Sequence, residues 1–358
     1  MGDWSDQLDN QIVDKYQLDI VNIPAGRQDL AFWLKASLVN RVLSYILPSL
    51  LSIRLLAFAS SKRCWQLFQT LKDEEFKFDH IEAHTLGALF PSYFFAKQNF
   101  KTFSFDVEDF HPGEVIHIQP EWEKKRRYRI MRTILPSAKF ITAASPLIAR
   151  ETESLLNGKE VLTVNNSFFQ SEFAKPKKSE RKEPLRLIWF SQNITDGRGL
   201  DLILDNFDRF KDQISLTLVG NMNPSYFEER IAGKAVEIIS PLPQIELHRM
   251  LADYDIGLLL EKSNVDLNKD ICLANKLFAY IQSGLYVLAT DTLGHKEFFD
   301  QYPQLGSLTA QNSENLGLLL KKLIDRKDHI REMKESRFEF SKSFDYHKEM
   351  SNLMPAML

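Results

Sequence analysis

The chain has 358 residues, 44% hydrophobic and 26% charged, with only 14 Gly and 14 Pro; this excludes disordered, collagen-like and low-complexity classes and gives length enough for two domains. Lys plus Arg total 45 against 48 Asp plus Glu, a net charge of −3, so the basic signature of a nucleic-acid binder is absent and an anionic ligand has to be met locally. Two cysteines, Cys64 and Cys272, are too few for a disulfide framework or a Cys-based zinc site and fit a reducing, cytoplasmic compartment.

Residues 1–9 are acidic and polar where a signal peptide needs a charged start and an apolar core. The first strand candidate is 18–23. The most apolar stretch, 42–53, is shorter than the ~20 residues that span a bilayer. It reads as a buried helix pair broken at Pro48. With Phe32, Trp33, Leu55, Leu56 and Phe58 around it, and Lys35, Arg41, Arg54, Lys62 and Arg63 interspersed, it also reads as an interfacial segment beside anionic lipid. From residue 80 elements alternate: strand 80–83, helix 86–97, strand 101–105, a basic helix 121–135, strand 139–143, a helix with Ser145 as N-cap and Pro146 as its first residue, and strand 160–164. Segment 175–184, charged and bounded by prolines, reads as a linker. Alternation restarts with strand 185–190, helix 200–210, strand 215–219, a helix over 226–231, strand 236–238, helix 244–252, strand 255–260, helix 275–283, strand 286–289 and helices from 313 onward.

Short apolar strands separated by amphipathic helices predict an α/β chain of two Rossmann-like, doubly wound parallel-sheet domains facing a cleft. We assign 1–174 to an N-terminal domain whose opening strand is missing, 185–335 to a C-terminal domain, and 336–358 to a helix returning to the N-terminal domain. Ligands of such sheets bind beyond the carboxyl ends of the strands.

Two stretches of the second half carry candidate chemistry. Trp189-Phe-Ser-Gln-Asn-Ile-Thr-Asp-Gly-Arg-Gly-Leu200 runs from a strand end into a helix start. There Gly197 and Gly199 let backbone approach an anion and Arg198 can grip phosphate oxygens; the alternative is an ordinary helix start with a solvated arginine. Asp270-Ile-Cys-Leu-Ala-Asn-Lys-Leu-Phe-Ala-Tyr-Ile-Gln-Ser-Gly-Leu-Tyr-Val-Leu-Ala-Thr-Asp291 is again loop, helix, glycine turn and buried strand. In the first half, His84 follows a strand, and Asp106, Glu108, Asp109, His111 and Glu114 form an acidic cluster with a histidine. Such a cluster can bond sugar hydroxyls, bind a cation or cap the next helix.

In order along the chain, the Arg198-Gly199 turn, strand 216–220, segment 238–248, segment 253–261 and the Asn275-Lys276 helix with Gly284 resemble the C-terminal domain of family 4 glycosyltransferases, which have the two-domain GT-B fold. Within the family the match looks closest to a bacterial subgroup that builds surface polysaccharides. The resemblance implies an enzyme of the hexosyltransferase type that passes a sugar from a nucleotide-diphosphate donor, such as a UDP- or GDP-sugar, to a hydroxyl of a carbohydrate or lipid-linked acceptor, with retention; inversion would instead need His84 or an acid of the Asp106–Asp109 cluster as base. It implies that Arg198 and Lys276 hold the diphosphate, that Asn275 caps its helix or contacts the donor, that Ser240 and Pro241 cover the base, and that Glu261 faces the cleft. His84 resembles a histidine near the reacting sugar; with Asp106, Glu108, Asp109 and His111 it forms the acceptor side, and His84, Asp109, Arg198 and Lys276 are the catalytic candidates. No cofactor, metal or nucleic acid is expected. The family's paired carboxylates are replaced by Ile271 and Ala279, with Asp270 and Glu261 as nearby substitutes. That departure keeps a non-catalytic GT-B-fold partner as the alternative, and a nucleotide-sugar epimerase as a third reading. The helix Lys124-Lys-Arg-Arg-Tyr-Arg-Ile-Met-Arg132 adds six cations to the N-terminal half, where peripheral contact with an anionic membrane at the inner face would hold a lipid-linked acceptor; the alternative is a solvated basic helix paired with Glu121 and Glu123.

Overall fold

The computed structural model describes residues 10, 12–23, 29–73, 78–177, 182–262 and 265–357; part of the linker segment, 178–181, lies outside them. In the first half, strands β1 (His80–His84), β2 (Thr102–Val107), β3 (Ile141–Ala143) and β4 (Leu162–Thr163) form a parallel sheet in the order β1-β2-β3-β4. Helices Leu86–Gln98, Pro120–Ile134 and Pro146–Glu153 make the crossovers. The last begins where the sequence places it, because Ser145 Oγ accepts from Ile148 N–H and Pro146 stands at the first turn. Residues 18–23 correct one expectation: they form no strand, and Leu18, Ile20 and Val21 are exposed, so their apolar pattern has no sheet to join.

The second sheet is six-stranded and parallel, in the order β10-β9-β8-β5-β6-β7. Its strands are β5 (Leu185–Ile194), β6 (Ile214–Met222), β7 (Val236–Ile239), β8 (Ile256–Leu259), β9 (Tyr286–Thr290) and β10 (Gly306–Thr309). The strand order reverses between β5 and β8, the switch point at which such sheets leave a crevice. Helices Leu267–Ile271 and Leu293–Gln301 and strand β10 are elements the sequence pattern did not disclose.

Helix Leu30–Ser44 ends before Pro48, which opens a one-turn segment Pro48–Leu50, and helices Ile53–Ser60 and Lys62–Asp73 follow. Leu56, Phe58 and Phe68 from this region enter the first core with Phe105 and Ile130. That core also takes Ile271, from the loop region after β8. The loops beyond the two sheets therefore meet. Phe110 N–H donates to Asn268 Oδ1 at 2.7 Å, and Asn268 Nδ2 donates to Asp109 Oδ1 at 2.7 Å. Ser145 Oγ donates to the Ile271 carbonyl at 2.9 Å. The terminal helix Tyr346–Met357 reaches the first half as well, where Glu349 Oε1 accepts from Asn165 Nδ2 at 3.1 Å.

Helix Asn275–Gln282 lies on β8 through Tyr280, whose ring is fully buried and whose hydroxyl donates to the Leu258 carbonyl at 3.2 Å. The ring sits over Gly257, where an added Cβ would lie 2.2 Å from Tyr280 Cγ. Gly257→Ala is expected to destabilise the protein by ~1–3 kcal/mol through overpacking, read as a lower midpoint in thermal or urea unfolding. An unchanged midpoint would show that the ring and its helix yield without cost.

Candidate functional site

The donor-side candidates gather where β5 and β8 end. After β5 the chain turns through Gly197 and Gly199, both with positive φ (80° and 74°). Gly199 is required by more than its dihedral: a Cβ there would stand 2.3 Å from the Leu260 carbonyl oxygen. This contact presses the 197–199 turn onto the end of β8 and sets exposed Arg198 beside Glu261, the residue that leaves the strand. Lys276, in the first turn of its helix, places Nζ 3.1 Å from Glu261 Oε1 and 5.0 Å from the centre of the Trp189 ring. Burial alone would push the Glu261 carboxyl up, but Lys276, and behind it His295 and Arg198, hold it below the usual carboxylate range. Its stabilising charge is thus present at neutral pH and lost as pH falls through the lowered native value.

Several residues of this pocket were not visible in the sequence. Trp189 is fully buried under Lys276, with its indole N–H unpartnered. His295 is buried in helix Leu293–Gln301, and burial keeps its pKa below the ordinary value although its Nδ1 donates to the Thr290 carbonyl at 2.7 Å, a bond that works the other way. The signal for that helix was present in Thr292, whose Oγ accepts from His295 N–H. Asn275 corrects an expectation: the cap position is Ala274, and no side chain caps the helix. The Asn275 side chain is left exposed at the helix start. Ser240 and Pro241 are exposed in the loop after β7, three places from β8 in the sheet order. Ala279 is fully buried in the second half's core, and Asp270 Oδ1 accepts from Leu293 N–H at 3.4 Å.

On the first sheet, register aligns His84 with Asp106 and Asp106 with Thr142. His84 Nδ1 lies 3.3 Å from both Asp106 Oδ2 and Glu108 Oε1, while Thr142 Oγ1 donates to Asp106 Oδ1 at 2.6 Å. The bond to Asp106, with charge from Glu108 and Glu82, pushes the His84 imidazole up to about 9 against the effect of burial. The same three side chains offer one ligand atom each within 4.8 Å of one another; as they stand, the imidazolium is the cation between the two carboxylates. Thr85, next in the chain, has φ 66°, a strained region for a β-branched residue.

His111 and Asp109 sit differently from His84. His111 Nε2 accepts from Leu86 N–H at 3.1 Å, which makes Nδ1 the donor to Glu114 Oε1 at 3.2 Å. Arg127 then bridges Glu114, Glu123 and the His111 carbonyl. Asp109 is engaged by Asn268. Its carboxylate, with Glu261 and Asp266, surrounds Cys272, and burial together with these charges pushes the thiol up to about 12. The acidic cluster divides into an open part (His84, Asp106, Glu108), Asp109 tied to Asn268 of the other half, and His111 and Glu114 tied within the first half.

An NMR titration checks the open part. His84 should titrate near 9, and in Asp106→Asn its midpoint should fall towards the ordinary 6.5. Because the native value is raised, His84 adds stability below about 6.5 that disappears as pH rises through about 9. A wild-type midpoint at 6.5 would mean that the carboxylates do not hold the ring.

No family model matches the sequence, and no curated protein matches it significantly. Solved structures do match its fold. Sucrose-phosphate synthase from Thermosynechococcus elongatus superposes with a TM-score of 0.62 at 12% identity over 82% of this chain and 78% of its own. Anabaena HepE in complex with UDP gives 0.57 at 15% identity, covering 82% and 81%. A UDP-forming trehalose-phosphate synthase from Burkholderia xenovorans gives 0.58 at 8% identity, covering 84% and 77%. With its two parallel sheets, of four and six strands, the chain has the GT-B fold.

Proposed function

We propose that the protein is a glycosyltransferase that takes a sugar from a nucleotide-diphosphate donor bound by the C-terminal half and delivers it to a hydroxyl presented by the N-terminal half. The observation that carries this reading is the group at the end of β8: two cations, Lys276 and Arg198, around one carboxylate, beside a glycine turn packed on the Leu260 backbone. Such a rim has a positive charge to spare for a diphosphate, and charge-assisted bonds to phosphate are the strong ones. That HepE was solved with UDP and with UDP-glucose supports a UDP-sugar as the donor class. The sequence motifs support family 4, a hexosyl donor and bacterial polysaccharide synthesis in the cytoplasm.

Retention is the outcome the family resemblance supports; with His84 held as imidazolium, the base of an inverting reaction would have to be an acid of the Asp106–Asp109 cluster. A base must accept a proton at working pH, and a ring held as imidazolium up to about 9 does not do so at neutrality. In the front-face reaction the anomeric carbon's bond to the phosphate oxygen breaks on the face where its bond to the acceptor oxygen forms. The acceptor's proton passes to the departing phosphate. Lys276 and Arg198 stabilise the charge that develops there, and His84 orients the acceptor by donating a hydrogen bond.

Arg198→Ala and Lys276→Ala should each weaken nucleotide-sugar binding by ~1.5–3 kcal/mol, measured by calorimetry against a panel of UDP- and GDP-sugars. Equal affinity in wild type and both variants would remove the proposed site. One observation favours a second reading, a GT-B-fold protein without transfer activity: fully buried Ala279 presents no carboxylate to a ribose. Donor binding without donor hydrolysis or transfer across that panel would establish it.

A further inference from the structure

The apolar stretch singled out in the sequence divides: Leu51, Leu56 and Phe58 are core residues, whereas the helix that leads into it keeps one apolar face out of the core. Leu30, Leu34, Leu38 and Val42 recur every fourth residue along Leu30–Ser44, and each is more than half exposed, whereas Ala36 is fully buried. Spacing by four places them on one stripe. The stripe runs on into Tyr45, Leu47 and Leu50, the last 73% exposed. Apolar surface of this extent marks an interaction site.

The charge around it is one-sided. Residues 30–72 contain six cations and no acidic residue, in a chain whose net charge is −3. The basic helix Pro120–Ile134 lies directly behind the tip: Arg129 Nη1 donates to the Pro48 carbonyl at 2.7 Å, and Arg126 donates to the Ser44 carbonyl. Two of its cations do not belong to the surface, which corrects the sequence-based patch. Arg126 is buried against Glu123, and Arg127 is spent on Glu123 and Glu114. Lys124, Lys125, Arg129 and Arg132 remain exposed. Three of them, Lys125, Arg129 and Arg132, line an open cavity of about 490 Å³ with Tyr128. Arg129 thus joins the cavity to the apolar tip.

We propose that this combined face docks on an anionic lipid bilayer, with the leucine stripe and the Leu47–Leu50 tip entering the interface and the Lys125–Arg129–Arg132 cavity taking lipid phosphates. The occupant follows from the charge: the apolar stripe and tip, with no acid among residues 30–72, adjoin a helix whose four exposed cations, Lys124, Lys125, Arg129 and Arg132, outweigh its one exposed acid, Glu121, and such a face complements an anionic surface. No helix among the described residues is long and apolar enough to cross a membrane, so the contact is interfacial. This assignment does not depend on the transfer reaction.

The test is co-sedimentation of the full chain with phosphatidylcholine vesicles and with mixed phosphatidylcholine and phosphatidylglycerol vesicles, at low and high salt. Pelleting is expected with the anionic vesicles at low salt. Lys125→Ala should reduce the partition coefficient about fivefold, and Leu38→Glu at least tenfold. Both positions are exposed, so unchanged unfolding midpoints verify that the variants fold. Absence of pelleting with anionic vesicles, or pelleting that neither substitution changes, overturns the proposal. So does a dimer in solution that Leu38→Glu splits, which would assign the face to a second copy of the chain.

Discussion

Asn268 is the constraint on which the site depends. It belongs to the region that follows β8, yet its amide bonds both the Asp109 carboxylate and the Phe110 N–H of the other half, and Ile271, three residues on, is packed in the other half's core. A buried amide that satisfies a donor and an acceptor at once is costly to displace, because each orphaned group loses ~1–3 kcal/mol. Glu261 leaves β8 just before this segment and Lys276 begins its helix just after it. The two donor-side charges are therefore anchored at both ends of a strap fastened to the opposite sheet. Their position relative to His84 follows from that fastening and not from the linker.

The two walls differ in charge by construction. At the end of β8 two cations face one carboxylate, and at the ends of β1 and β2 two carboxylates face one imidazolium. Each group is internally paired, so neither charge is stranded in a low dielectric, yet each wall keeps one charge in excess. In the proposed transfer reaction this arrangement would sort an anionic leaving group and a hydroxyl-bearing acceptor to opposite walls. Trp189 adds an apolar floor beneath Lys276, where an electrostatic contact is screened less than in open water.

Most of the fold was legible because it is local. The alternation of strands and helices, the Ser145-Pro146 start and the Gly199 turn follow from periodicity, capping and backbone freedom, which a single sequence displays. What stayed hidden is long-range. Nothing near Asn268 announces a partner at Asp109. Arg126 and Arg127 look like neighbours of Lys124 and Lys125 until helix packing turns them towards Glu123. Residues 18–23 carry strand-forming side chains and still make no strand, because a strand needs a sheet edge to pair with. Asn275 has the chemistry of a cap but stands one residue inside the helix, a register that propensity does not resolve. The same limit applied at the site: Lys276 and Glu261 were legible as motif residues, whereas Trp189 and His295 entered only through tertiary packing.

Strand β1 carries a consequence for how the protein behaves at high concentration. Among the described residues it is the last strand of its sheet, with β2 on one side, and an unpaired strand edge is a template on which a second molecule can extend the sheet. Its sequence is His80-Ile-Glu-Ala-His84, with three ionisable side chains in five residues. A second copy laid antiparallel along that edge would bring Glu82 against its own likeness, and like charges across strands disfavour pairing. Glu82, between the two histidines of the strand, thus works against the edge of the sheet becoming an aggregation seed.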